Sequence, residues 1–279
     1  MVLELRELIG RLQPTILLAQ LHNPTEINDI DIQGIKNNWS DVKCVNWNGD
    51  FWPDNLLSQD GIKLAKSFDL QLTVNRDALD KYKAMGVVAD YWQIGYEPDG
   101  ICDEIGPSCD VLFLANRYST DRYNLVGRIR SLKLDFNLYG NGWPSGWSSG
   151  QSTYNFSEAC KVYKGAKISI GDSQWPDTGF VSNRVFQALA AGGSALAHQW
   201  FRDMDKLGLI DGETCIIWKD FAELEKKIKY YLSHEKERKS IALAGEQLAL
   251  ARHSFDVRVQ ELLVMLEGEK IAAEDGWRW

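Results

Sequence analysis

The sequence has no apolar run near the ~18 residues a membrane-crossing helix needs, so no span is expected. Cysteine is scarce. The five present (Cys44, Cys102, Cys109, Cys160, Cys215) are odd in number and never in C-x-x-C spacing. That argues against a disulfide framework or a zinc site and for a reducing, cytoplasmic setting. Histidine is scarcer still: His22, His198, His234 and His253 lie far apart with no H-x-x-x-H pair, and no metal cage is predicted. The first residues, M-V-L-E-L-R-E-L-I-G-R-L, carry charge throughout and lack an apolar signal core, so they read as a helix.

What is present fits a two-domain globular chain: 279 residues, 44% hydrophobic and 25% charged. The net charge of −8 is unevenly spread. Residues 1–108 hold 9 basic and 17 acidic side chains, whereas 109–279 hold 22 of each. An acidic N-terminal half repels polyanions, which disfavours a phosphate-backbone partner there.

Short apolar strands alternate with helical stretches along the whole chain, the pattern of βαβ units and parallel sheets. The stretch Tyr96–Cys109, with two prolines and two glycines, breaks that rhythm and reads as a linker. The expected division is therefore 1–108 and 109–279, two consecutive Rossmann-like halves.

Three local motifs compete for attention. Gly140–Gly146 (G-N-G-W-P-S-G) follows a strand, but it is one residue too long for a dinucleotide fingerprint and no helix follows it, so a loop is predicted. The triplets Asp29-Ile30-Asp31 and Asp203-Met204-Asp205 could hold Mg²⁺ or Mn²⁺. Among 39 acidic residues chance pairs are expected, and the first sits where a helix start favours acids. The third is Phe180–His198, F-V-S-N-R-V-F-Q-A-L-A-A-G-G-S-A-L-A-H. Ser182 is placed to cap a small apolar helix whose free N–H groups would face a diphosphate, with Arg184 as a charge-assisted donor. An ordinary capped core helix fits the same letters.

The order of S-N-R-V-F-Q-A-L-A-A-G-G, L-G-L-I-D-G-E-T-C-I-I-W, F-A-E-L-E-K-K-I-K-Y-Y-L and A-L-A-R-H-S-F-D-V-R resembles GT-B glycosyltransferases, especially the CgeB-type group. Upstream, V-L-F-L-A-N-R-Y and L-Y-G-N-G-W look like earlier strands of the same domain, so the likeness covers about residues 110–260. It implies two Rossmann-like domains facing a cleft, a C-terminal nucleotide-sugar donor domain and an N-terminal acceptor domain shortened by a first βα unit. It implies metal-independent sugar transfer, with no cofactor beyond the donor substrate. By position, Asn116, Arg117 and Arg122 would form the phosphate loop. Ser182, Asn183 and Arg184 would meet the diphosphate, and Tyr163 would border the nucleobase. Gln187 stands where many relatives place a ribose-binding glutamate, and the sugar-contacting glutamate falls near Gly179. These two departures leave a non-catalytic nucleotide-sugar binder as one alternative to a transferase; a sugar-nucleotide epimerase of the same architecture is another.

In the acceptor half, residues at the ends of parallel strands face the ligand crevice. Asp50 and His22 are the candidate bases for an acceptor hydroxyl, and each equally suits a cap or turn. Trp47, Trp52, Trp143 and Trp147 flank these positions as sugar-stacking or core aromatics. A neutral glycan, a protein or a small molecule is the expected acceptor, in preference to DNA.

Overall fold

A computed structural model describes residues 1–22, 24–49, 58–151 and 155–267. It forms two compact units, Met1–Ile94 with the chain from Val259 onward, and Gly95–Arg258.

The first unit alternates α1 (Val2–Leu12), β1 (Ile16–Ala19), α2 (Asp29–Asn38), β2 (Lys43–Asn48), α3 (Gln59–Ser67), β3 (Leu70–Thr73), α4 (Arg76–Ala84) and β4 (Ala89–Tyr91). Its four strands are parallel in the order β1-β2-β3-β4, with Val45 opposite Leu70 and Thr73 opposite Tyr91. Side-chain caps start the helices. Asn28 and Asp31 form a reciprocal capping box on α2, and Asn75 accepts from the backbone N–H groups of Asp77 and Ala78. Asp31 is thus committed to a helix start, as its position predicts.

The second unit comprises β5 (Cys109–Leu114), α5 (Thr120–Ser131), β6 (Phe136–Tyr139), α6 (Phe156–Gly165), β7 (Ala166–Gly171), α7 (Asn183–Ala191), β8 (Ala195–Gln199), β9 (Ile216–Trp218), α8 (Phe221–Ser233) and α9 (Glu235–Arg252). It also holds the start of α10 (Phe255–Glu267). The parallel sheet runs β6-β5-β7-β8-β9. Chain order therefore reverses between β5 and β7, the switch point where open α/β sheets bind ligands. One face of the sheet is filled by Val111, Phe113, Ile168 and Ile170 against Val126 and Ile129 of α5 and Leu224 and Ile228 of α8.

The division differs from the expected 1–108 and 109–279 at both ends. Tyr96–Cys109 is no free linker. Tyr96 is buried against Phe156 at 5.8 Å, and the Gly106 N–H donates to the Lys161 carbonyl at 2.8 Å. Conversely, Leu262 joins Val45, Leu70, Leu72 and Trp92 in the first unit's core. Apolar packing outvotes the prolines and glycines here.

Candidate functional site

The switch point is spanned by an ion pair. Arg122 lies in the first turn of α5, which Ser119 caps by accepting the Arg122 N–H at 3.1 Å. Its Nε and Nη2 donate to both oxygens of Asp172, just past β7, at 2.8 and 2.9 Å. Nη1 donates to the Asn116 carbonyl at 2.8 Å, so three of the five guanidinium N–H groups are taken. The pair is mostly buried, with side chains 12% and 15% exposed. Arg122, expected to face phosphate, is thus held by the Asp172 carboxylate.

Asn116 is buried and works on the loops. Its Oδ1 accepts from the Asn141 N–H at 2.8 Å and its Nδ2 donates to the Tyr118 hydroxyl at 3.1 Å. Arg117 is exposed, its guanidinium 4.7 Å from the Tyr123 ring centroid. The adjoining Gly140 has φ +151, and a Cβ there would collide with the Ala115 carbonyl oxygen, so this loop admits only glycine.

At α7 the expected cap is present. Ser182 caps the helix, its Oγ accepting from the Arg184 N–H at 3.4 Å and donating to the Asn183 Oδ1, also at 3.4 Å. The Arg184 side chain has no ion-pair partner among the described residues and lines a cavity of about 50 Å³ with Arg122, Tyr163, Asp172, Ser182 and His198. That volume admits a water-sized group, not a nucleotide. Tyr163 is buried there, and burial pushes its hydroxyl up to about 12, opposed by the Arg184 charge. Gln187 is half-buried, three residues after Arg184 and on the same helix face. Gly179 closes the Pro176–Thr178 turn in the left-handed region at φ 70, where an L-residue is strained.

His198 is a site residue that the sequence reading left unassigned. It ends β8 beside Gly171 of β7, where a Cβ would strike its ring. Its Nδ1 donates to the Gln199 carbonyl at 2.6 Å, and burial lowers its pKa, so the neutral ring keeps Nε2 as an acceptor. The rule that strand-end polar residues of a parallel sheet face the crevice points to it. Beyond the Arg122–Asp172 bridge lies a larger pocket of about 510 Å³, bordered by Tyr118, Arg128, Ser173, Gln199 and Lys219.

The rear of α7 is fixed by His253, between α9 and α10. Its ring stacks on Phe186 at 4.2 Å, Nε2 donates to the Leu207 carbonyl at 3.0 Å, and Nδ1 accepts from Arg258 at 2.9 Å. Burial first, then the Arg258 charge, lowers its pKa from 6.5 to about 3. The unfolded chain takes up a proton that the folded one refuses between those values. Stability is therefore full above about pH 6.5 and falls as the pH drops toward 3, by up to about 1.4 kcal/mol per unit from this group. Urea midpoints at pH 7, 5.5 and 4.5 should fall in that order, and His253→Gln should flatten the trend. An equal slope in the variant would assign the effect elsewhere.

The remaining candidates belong mostly to the first unit. His22 is half-buried after β1, while Asp50 and Trp52 lie outside the described residues. Trp47 packs edge-on to Trp92 at 5.1 Å, and Trp143 donates its Nε1–H to the Ala115 carbonyl at 2.9 Å, so both are framework aromatics. Trp147 stacks on Tyr123 at 5.1 Å. Asp203 pairs with Lys206 at 3.0 Å, and no group of three or more His, Cys, Asp or Glu that could hold a metal is gathered among the described residues. No helix among them is long and apolar enough to cross a membrane.

Parallel α/β sheets with a charged switch point are the architecture of GT-B glycosyltransferases, and known structures bear this out. HepE from Anabaena, in complex with UDP and glucose, superposes with a TM-score of 0.67 at 10% identity, over 96% of this chain and 81% of that one. A glycosyltransferase from Rickettsia africae gives 0.65 at 13% identity, over 96% and 80%. An alpha-glucosyltransferase in complex with UDP-glucose and DNA containing an abasic site gives 0.66 at 9%, over 95% and 83%. At such identities the likeness fixes the fold alone. No curated protein matches in sequence. The model of the family described as glycosyl transferase-like matches residues 122–264, just over half the chain, and the chain belongs to that family.

Proposed function

We propose that this glycosyltransferase takes a sugar from a nucleotide-activated donor, held by the second unit, and passes it to an acceptor held by the first, without a divalent metal. The observation that carries the reading is the start of α7: a capped helix N-terminus with an unpaired arginine, beside a second arginine at the switch point. Free N–H groups and fixed positive charge stabilise a departing nucleoside diphosphate as its negative charge develops, which is the work a metal ion does elsewhere. Arg184 is the primary contact in this scheme. Arg122, Arg117 and Asn116 shape the phosphate loop, Tyr163 borders the base, and Gln187 reaches the ribose hydroxyls. Asp50, with His22 as second choice, is proposed as the base on the acceptor hydroxyl.

The CgeB-type subgroup is part of the proposal and rests on the sequence resemblance. So does the acceptor class, a neutral glycan, protein or small molecule, which the acidic balance of residues 1–108 favours over a nucleic-acid backbone. Five free cysteines, four of them buried, suit a reducing, cytoplasmic compartment. The glycine at 179 and the amide at 187 favour one rival, a nucleotide-sugar binder without turnover.

A thermal-shift series with UDP-, GDP-, ADP- and TDP-sugars tests the reading. UDP-glucose comes first, because the HepE and alpha-glucosyltransferase structures hold it. One nucleotide class should raise the melting temperature, with about 2.7 kcal/mol gained at a hundredfold excess over Kd. EDTA should leave that gain unchanged. A shift that needs Mg²⁺ or Mn²⁺ would overturn the metal-free part, and no shift with any donor would overturn the whole. Slow release of free sugar from the matching donor separates an enzyme from the silent binder.

A further inference from the structure

The R-H-S-F string that closes α9 is far from the charged end of α7 in sequence, yet it grips the other side of that helix. At about 100° per residue, Phe186 points roughly 200° away from Arg184, so the residue that His253 touches is on the rear of the donor helix. Phe186 and His253 are both buried, their rings stacked 4.2 Å apart against the rear of α7. The imidazole is itself fixed at three points. Arg258 can only donate, so its bond to Nδ1 sets the tautomer and leaves the Nε2–H for the Leu207 carbonyl. Arg258 is anchored in turn on the Arg252 carbonyl at 3.1 Å. The backbone of the string is tied down too: the Tyr96 N–H donates to the His253 carbonyl at 3.0 Å, and the Phe255 N–H to the Tyr96 carbonyl at 2.9 Å. Gly95 is required beside it, because a Cβ there would lie 2.9 Å from the Phe255 nitrogen.

We infer that His253 is a positioning residue for donor binding: held by Arg258, it braces the rear of α7 so that Arg184 and the helix N-terminus stay aimed at the diphosphate. The inference rests on the donor reading of α7, and it assigns to a buried pair outside the site a measurable share of nucleotide affinity. A shift of about 1 Å in a charged group is enough to cost affinity, since charge-assisted bonds are steep in distance and angle.

Calorimetric titration of UDP into the wild type, His253→Ala, Phe186→Leu, Arg184→Ala and the His253→Ala/Arg184→Ala double variant tests it, well below each variant's melting temperature. His253→Ala and Phe186→Leu should each weaken UDP at least fivefold. In the Arg184→Ala background the His253→Ala loss should be smaller than in the wild type, because one of the two groups being aimed is gone. A brace that only stabilised the fold would lower the melting temperature and leave UDP affinity where it was. Should His253→Ala fail to fold, Phe186→Leu, close to volume-conserving, decides alone. Unchanged affinity in folded His253→Ala or Phe186→Leu protein, or losses that multiply in the double variant, would overturn the inference. If Arg184→Ala itself binds UDP normally, the donor reading fails instead, and the two failures are distinguishable.

Discussion

Arg184→Ala is expected to weaken UDP binding roughly tenfold to a hundredfold while leaving the melting temperature of the free protein within a few degrees of wild type. A charge-assisted hydrogen bond contributes about 1.5–3 kcal/mol, which converts to that range. The guanidinium is paired with no carboxylate among the described residues, so removing it strands nothing. The two readouts should therefore separate: binding falls and stability holds. Arg184→Lys should recover only part of the affinity, because an ammonium keeps the charge but loses the planar fork that meets two phosphate oxygens together. Wild-type affinity in the folded alanine variant would remove α7 from the donor site.

Asp172→Ala is expected to do the reverse. It leaves Arg122 mostly buried with its partner gone, a change that costs about 3 kcal/mol, at the lower end for buried pairs because both side chains retain some exposure. For a unit of this size the melting temperature should drop by about 6–12 °C. The bridge also competes with any diphosphate for the same guanidinium. Saturating UDP should therefore raise the melting temperature of Asp172→Ala by more than it raises that of wild type. Calorimetric melts with and without UDP check both parts. A variant within a degree of wild type would mean that the pair is solvated and contributes little, and an equal UDP increment would mean that Arg122 never meets the nucleotide.

Much of the fold was legible because it is written locally. The Ser182 cap, the helix at the first residues and the alternation of short apolar strands with helices fall where the letters put them. The division between units was not legible, because Tyr96 and Leu262 are assigned by what they pack against, and proline and glycine counts cannot see a distant partner. The site divides the same way. Ser182 and Arg184 share one helix turn and could be read together. Arg122 could be chosen from its loop, but nothing local says that Asp172, fifty residues on, would claim it; only the adjacency of β5 and β7 does. His253 is a single letter whose neighbours come from other elements, so nothing local in the sequence joins it to α7.

The backbone at Gly179 sets the terms on which this protein could acquire a new sugar preference. A sugar-contacting glutamate, which the sequence resemblance implies near this position, would start there from a strained conformation, since φ 70 disfavours any L-side chain. Gln187 carries no such obstacle: it sits in regular helix, half-exposed, and glutamate has nearly the same size and shape. A laboratory lineage selected for tighter nucleotide capture would find its open path at 187. A lineage selected on the sugar would have to rebuild the turn after Pro176 first, so the two halves of one donor molecule are unequally accessible to mutation.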